Sequence, residues 1–326
     1  MTITVTTNDG RWLDDCLATL TASRVDERTD LDFIVVDNAS TDGSADLVES
    51  RFPKVQVIRS PSNDGFSGAN NRGMSEALAR GADYVFLVNP DTRTPADLVA
   101  RLVDFMRSWP SYGIVGPLQY AYTADGSPTG ELNAWSRTAL DSGESHIFVA
   151  DRVEGPPSAG PLAGRAPQAL EHAYVQGSAL FCRTAVLRQV GLFDPAYHTY
   201  YEESDLCRRA RWAGWRVALL LDLGIQHMGE GGTHASLYRR RHMLRNKYYF
   251  LFTDPEWGWF PTCRLVTRWL RNDLAGRGAA PSETRAGALG DTAVGALWLV
   301  GRSFRMVRRR RAHAALRSRG LRPVGL

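Results

Sequence analysis

The sequence predicts an α/β fold: a Rossmann-like, mostly parallel central sheet with helices on both faces, followed by a helical C-terminal region. Three features point there. Strand-like and helix-like patterns alternate through the first ~115 residues. The runs "FIVVDN" and "YVFLVN" are apolar without alternation, as strands covered on both faces must be. From about Leu237 the pattern becomes helical and rich in arginine.

Ile3–Thr6 reads as the first strand, and Leu13, Cys16, Leu17 and Leu20 share one face of a helix over Trp12–Ala22. Phe33–Asn38 is a buried strand, after which "STDGS" starts a helix with Ser44 as candidate cap. Val55–Arg59 is a strand, Ser67–Arg80 a helix and Tyr84–Asn89 another buried strand. Thr94-Pro95 opens a helix to about Ser108, with Pro95 suited to its first position. Gly113–Gly116 is a short fifth strand. Leu118 to Glu171 is rich in Gly, Pro, Ser and Ala, and Gly155–Pro167 reads as a loop. Order resumes at Ala173–Cys182, with a helix from about Thr184 and another over Glu202–Gly214, ended by Gly214. Arg216–Leu221 is a further strand. The expected division is 1–235 for the sheet domain and 236–326 for the helical region, with no internal repeat.

Hydrophobic content of 44% with 23% charged residues excludes a disordered chain. The net charge of +4 is unevenly spread. From Arg264 onward there are about 14 arginines against about 3 acids, roughly +11, which leaves roughly −7 for the rest. A basic tail on an acidic body suits an anionic surface such as phospholipid or lipid diphosphate; a solvated helix face is the plain alternative. Cys16, Cys182, Cys207 and Cys263 form no CxxC pair, which argues against a zinc site or a disulfide framework and for a reducing compartment. No signal peptide is expected, and Ala293–Gly301 is far shorter than the ~20 apolar residues that span a bilayer. The expected location is the cytoplasm, with peripheral contact at the cytoplasmic face of the inner membrane.

In parallel sheets ligands sit beyond the carboxyl ends of the strands, which places Asp37, Asn38, Asn89 and Asp91 on the ligand edge. Asp37 in "DNASTDGS" can accept an N–H from a ligand base, although an Asx turn alone explains the motif. Asp91 in "NPD" can hold a hard divalent cation that grips a diphosphate; a turn is again the plain reading. "NDGFSGANNRG" leads into a helix with exposed N–H groups suited to an anion, so Asn70 and Arg72 join the donor-binding candidates. "YYEESDLCRR" sets acids at a helix start, favoured there by the dipole, beside two tyrosines that can wall a sugar pocket. Glu203 or Asp205 could deprotonate an acceptor hydroxyl; two apart on a helix, at most one faces the pocket. His227 in "QHMGEGGT" could complete the metal site, although a lone histidine is more often structural.

These motifs, in this order over roughly residues 1–250, resemble the family 2 glycosyltransferases of the GT-A fold, especially bacterial rhamnosyltransferases of cell-wall or surface glycans. The resemblance implies that Asp37 binds the N3–H of uracil or thymine. It implies that Asp91 is the last carboxylate of the metal-binding Asp-x-Asp motif, with Asn89 replacing the first, and that His227 is the later metal ligand. Glu203 falls where the family has the second residue of a Glu-Asp pair, its general base; here the pair is Glu202-Glu203, so Glu202 and Asp205 stay open. Implied too are a Mg²⁺ or Mn²⁺ cofactor, a dTDP or UDP sugar donor, a glycan or lipid-linked acceptor and an inverting displacement. Rhamnose from dTDP-rhamnose leads; UDP-galactofuranose or another hexose on a soluble or natural-product acceptor is the alternative. A sugar-nucleotidyltransferase would need a Gly-rich basic loop where "TTNDGRW" stands, and a non-catalytic module would not keep base-, metal- and acid-candidates together. No nucleic-acid partner is expected; a homodimer through the helical region is allowed.

Overall fold

The computed structural model describes residues 1–122, 128–132, 135–139, 144–148, 169–228, 237–256, 258–274 and 297–320. The first half alternates β1 (Thr2–Thr6), α1 (Gly10–Thr21), β2 (Phe33–Asp37), α2 (Ser44–Arg51), β3 (Val55–Arg59), α3 (Gly65–Ala79), β4 (Tyr84–Val88), β5 (Thr92–Arg93), α4 (Leu98–Ser108) and β6 (Tyr112–Tyr122). Then come β7 (Pro128–Leu132), β8 (Trp135–Ala139), β9 (Glu144–Phe148), β10 (Ala169–Glu171), β11 (Ala179–Arg183), α5 (Thr184–Val190), α6 (Glu202–Trp212) and β12 (Arg216–His227). Among the described residues three long helices follow: α7 (Leu237–Phe252), α8 (Trp259–Leu274) and α9 (Ser303–Gly320).

Ten strands form one sheet in the order β10-β12-β6-β11-β4-β1-β2-β3, with β5 added to β12 and β7 to β6. The pairs β1–β2, β1–β4, β2–β3 and β12–β6 are parallel. Side chains alternate across the pleat, so each buried strand feeds two cores. Ile3, Val5, Ile34, Val36, Val85 and Leu87 pack with Ala69, Met74 and Ala77 of α3 and with Leu206 and Ala210 of α6. Phe86 and Val88 face the other way, onto Leu98, Leu102 and Met106 of α4. Helix α1 serves two clusters, with Leu13 and Leu17 against Val35 and Val48, and Cys16 and Leu20 against α4. Each such buried aliphatic side chain contributes about 1.5–3 kcal/mol.

Several boundaries differ from the expected ones. Strand β6 runs 11 residues rather than four, and β12 runs 12, carrying His227 on its last position. Strand β11 runs antiparallel between β4 and β6, because its chain returns from the carboxyl edge. Ser44 is the first helical residue of α2, not its cap; Gly43 precedes it at φ +81°, and Asp42 Oδ1 accepts the Ser44 N–H. Pro95 sits in a turn before α4, its carbonyl accepting the Leu98 N–H. Gly214 ends α6 as expected, at φ +91°. Part of the Gly- and Pro-rich stretch from Leu118 to Glu171 is strand, with β8 and β9 forming their own two-stranded sheet. Gly155–Pro167 and the glycines after His227 lie outside the described residues.

The helical region packs onto α6 through an aromatic cluster of Tyr197, Tyr201, Tyr248, Tyr249 and Phe250, with Val266, Leu299 and Met306. Beside it lies a buried charge network. Asp205 accepts from Arg208 Nη2 at 2.6 Å and Arg209 Nε at 2.8 Å. Arg209 also donates to the carbonyls of Val190, Gly191 and Leu192. Arg208 donates to Phe250 O and lies 3.7 Å from the centroid of its ring. Arg309 of α9 reaches Asp194 at 3.2 Å and Asp205 at 3.7 Å. Burial alone would raise the Asp205 pKa, but Arg209, Arg208, His313 and Arg309 outweigh it and hold the carboxyl far below the usual range. Part of the arginine-rich tail therefore faces inward and neutralises acids of the sheet domain.

Asp205→Ala leaves Arg209 buried without its carboxylate and Arg208 with only Asp254, at 3.4 Å. The expected cost is about 3–5 kcal/mol by urea unfolding. An unchanged midpoint would show that the network does not hold α6 to the C-terminal helices.

Candidate active site

Strand ends build the site. Asp37 closes β2 and pairs in register with Thr6 of β1, while Thr4 pairs with Val88 of β4. The ends of β2 and β4 therefore share one edge, two strands or about 10 Å apart. Asp37 is buried there, with Oδ1 accepting the Ser40 N–H at 3.2 Å. Beyond β4 the "NPD" turn is pinned from several sides. Asn89 N donates to Ser178 O, and Thr92 Oγ1 donates to Asn89 O. Tyr122 OH and Met228 N both donate to Asp91 O.

Two-residue β5 then pairs with the last residues of β12, Thr92 opposite His227. That short ladder brings residues 136 positions apart side by side: His227 Nε2 lies 3.3 Å from Asp91 Oδ1. One carboxylate and one imidazole fit Mg²⁺ or Mn²⁺, cations that take few protein ligands and complete their shell with phosphate oxygens and water. No group of three or more His, Cys, Asp or Glu suited to a metal occurs among the described residues, so a cation here would depend on the diphosphate.

Glu203 approaches from α6. A Cβ built on Gly177 would lie 3.8 Å from Glu203 Cβ, in ordinary contact, and 3.1 Å from the Phe66 ring, a tight fit, so Gly177 lies directly beside Glu203. Gly177 precedes Ser178, the residue that holds Asn89, so Glu203 stands beyond the end of β4 as well. Burial pushes the Glu203 carboxyl up to about 7. Burial and then the adjacent Glu203 raise Glu202 well above the ordinary range. One oxygen of each is buried without a hydrogen-bond partner. A carboxylate poised near neutrality with an unsatisfied oxygen is suited to accept a proton.

The turn before these glutamates is strained. His198, Tyr200 and Tyr201 have φ of 63°, 68° and 75°, a region that β-carbon-bearing residues rarely occupy. Asn246 of α7, fully buried, holds it: its Nδ2 group donates to the carbonyls of Tyr197, Thr199 and Tyr200 at 2.8, 2.7 and 2.8 Å. On the other side, Ser67 N donates to His198 O, and the imidazole leaves no room for a side chain at Gly65.

Several candidates take other places. Asp205 is excluded as a base, because its ion pairs to Arg208 and Arg209 turn it away from the pocket and hold it ionised. Asn38 is engaged in joining loops: Oδ1 accepts Asp64 N, and Nδ2 donates to Asn63 Oδ1 and Thr7 Oγ1. Asn70 Nδ2 donates to Phe66 O within α3. Arg72 pairs with Asp64 at the surface, so its charge is already matched. Asn89 stays at the rim, half-buried.

Sequence reading missed Asp9, at the start of α1. Burial, then Asp91 and Asp42, push it up to about 6, so it shares the acidic rim. It missed Asn246 as well. Only the Asn-Asp-Gly turn after β1 hinted at Asp9, and nothing local marked Asn246.

A mostly parallel sheet with helices around it and acids beyond its strand ends is the fold of the GT-A glycosyltransferases. The model of glycosyl transferase family 2 matches residues 2–185, and the chain belongs to that family. It is 30% identical over 301 residues to N-acetylglucosaminyl-diphospho-decaprenol L-rhamnosyltransferase of Mycobacterium tuberculosis, covering 84% of this chain and 89% of that protein. Among solved structures it resembles S. aureus TarS 1-349 in complex with UDP, with TM-score 0.54 and 15% identity over 97% of this chain and 90% of that one. It spans 44% of a longer TarS chain. It also resembles the mannosyltransferase PcManGT of Pyrobaculum calidifontis in complex with GDP-Man and Mn2+, with TM-score 0.53 and 15% identity over 99% and 87%.

Asn246→Ala removes the side-chain donor to the carbonyls of Thr199 and Tyr200 and one of the donors to Tyr197 O, which keeps Arg245 Nη2. The expected loss is about 1–3 kcal/mol, with faster hydrogen exchange over residues 197–203. Unchanged exchange there would show that the turn holds its shape without the clamp.

Proposed function

We propose that the chain is an inverting, metal-dependent glycosyltransferase. It moves a sugar, rhamnose from dTDP-rhamnose as the leading donor, to a hydroxyl of a lipid-linked acceptor in cell-wall or surface glycan synthesis. The single observation that carries the chemistry is the placement of Asp91 beside His227 while Glu203 stands beyond the same strand ends with a raised pKa. The donor and acceptor classes rest on the mycobacterial rhamnosyltransferase, whose name specifies a diphospho-decaprenol acceptor.

In this reading Asp37 accepts the N3–H of a thymine or uracil ring and so selects pyrimidine donors. Asp91 and His227 hold a divalent cation, which when bound offsets the charge of the nucleoside diphosphate leaving group. Glu203 takes the proton of the acceptor hydroxyl as that oxygen attacks the anomeric carbon. Burial and then the adjacent Glu203 raise the Glu202 pKa well above the ordinary range, which disfavours a second negative charge beside the base. Phe66 and Gly177 lie beside Glu203 and line its side of the site.

Glu203→Gln should retain donor affinity and lose about 10²–10⁴-fold in kcat. Full activity in that variant would move the base elsewhere. Because Glu203 must be ionised, wild-type kcat/KM should rise with pH and level off above about 7. A profile flat from pH 5 to 8, as round values, would contradict that role. Asp91→Ala should abolish cation-dependent nucleotide binding; binding that is equal with and without EDTA in the wild type would refute the cation site.

A further inference from the structure

The C-terminal helices carry an apolar face that stands exposed among the described residues. Leu297, Val300 and Phe304 are 73%, 72% and 82% exposed. Leu297 and Val300 lie on the helical turn leading into α9, and Phe304 is on its first turn. Spacings of three and four put them on one side. The opposite side is anchored: Leu299 and Met306 are buried in the aromatic cluster, and Arg310 and His313 are buried further along α9. The exposed stripe is therefore held outward by packing.

The same stripe continues into charge. Arg308 and Arg311, four and seven residues beyond Phe304, are exposed. Neither forms an ion pair with a described carboxylate, whereas Arg305, Arg309 and Arg317 are paired with Asp194, Asp205 and Glu256. Two kinds of arginine thus share one helix: one set ties α9 to the acidic body, and the other faces outward beside large apolar side chains.

We propose that this stripe is the surface by which the protein lies on an anionic lipid bilayer. Apolar side chains flanked by unpaired guanidinium groups match the boundary between acyl chains and anionic headgroups. A nucleic acid would leave Leu297, Val300 and Phe304 in water. A protein partner would need both an apolar pocket and an acidic rim. No helix among the described residues is long and apolar enough to cross a membrane, so the contact is a face laid on the surface. The inference goes beyond the transferase reading and stands without it.

The test uses the full chain and vesicles of phosphatidylcholine with or without phosphatidylglycerol, read by co-sedimentation. The wild type should sediment with the anionic vesicles and bind more weakly as salt is raised. The double variant Val300→Glu/Phe304→Glu should lose at least about tenfold in vesicle affinity while keeping the wild-type thermal midpoint, since both positions are exposed. Arg308→Glu/Arg311→Glu should lose the preference for anionic lipid. Failure of the wild type to bind anionic vesicles, or equal binding by the variants, overturns the proposal. So does a wild-type dimer in light scattering that Val300→Glu/Phe304→Glu converts to monomer, which assigns the face to a second copy. None of these readouts depends on glycosyl transfer.

Discussion

Asp205 lies fully buried two residues beyond Glu203, where it meets Arg208 and Arg209 of its own helix and Arg309 of α9. Arg209 in turn binds the chain that follows α5, and Arg208 binds the end of α7. The carboxylate therefore fixes the rotation of α6 about its axis. Two positions on a helix differ by about 200°, so an inward Asp205 turns Glu203 toward the opposite side. Removing one partner from such a network leaves a buried charge uncompensated, which makes the arrangement all-or-none. The strained turn from His198 to Tyr201 adds a second constraint, held by Asn246.

The opposite wall rests on backbone pairing rather than on charge. Asp91 owes its position to β5, two residues long, which pairs with the final residues of β12. A ladder of that kind fixes distance more firmly than a loop would, because each residue is tied by main-chain bonds. The two walls thus belong to different devices. One is a sheet edge with an oxygen–nitrogen pair, and the other is a helix start with two carboxyls whose pKa burial raises.

Much of this was legible in the sequence, because it follows from local pattern. Continuous apolar runs ending in Asp37 and "NPD" announced buried strands with acids at their carboxyl ends. Other features depend on distant contacts. The antiparallel insertion of β11 cannot be read from its composition, since a buried strand looks the same in either direction. The choice between Glu203 and Asp205 depended on arginines that come after them and on α9, about 100 residues later. Arg72 read as a ligand contact because the stretch leading into its helix is rich in glycine and asparagine, and Asn38 because it follows a buried strand, but Asp64 and Asn63 engage them. The charge count of the tail was correct, but a count does not say which arginines face inward.

The claim at the centre is that strand-end carboxylates recognise a pyrimidine nucleotide together with a divalent cation. Thermal unfolding of the full chain with dTDP, UDP, GDP or ADP, each with Mn²⁺ or with EDTA, tests it most directly. The account predicts a rise in midpoint with dTDP and UDP that EDTA removes. A larger rise with GDP or ADP, or one that EDTA leaves intact, would contradict it.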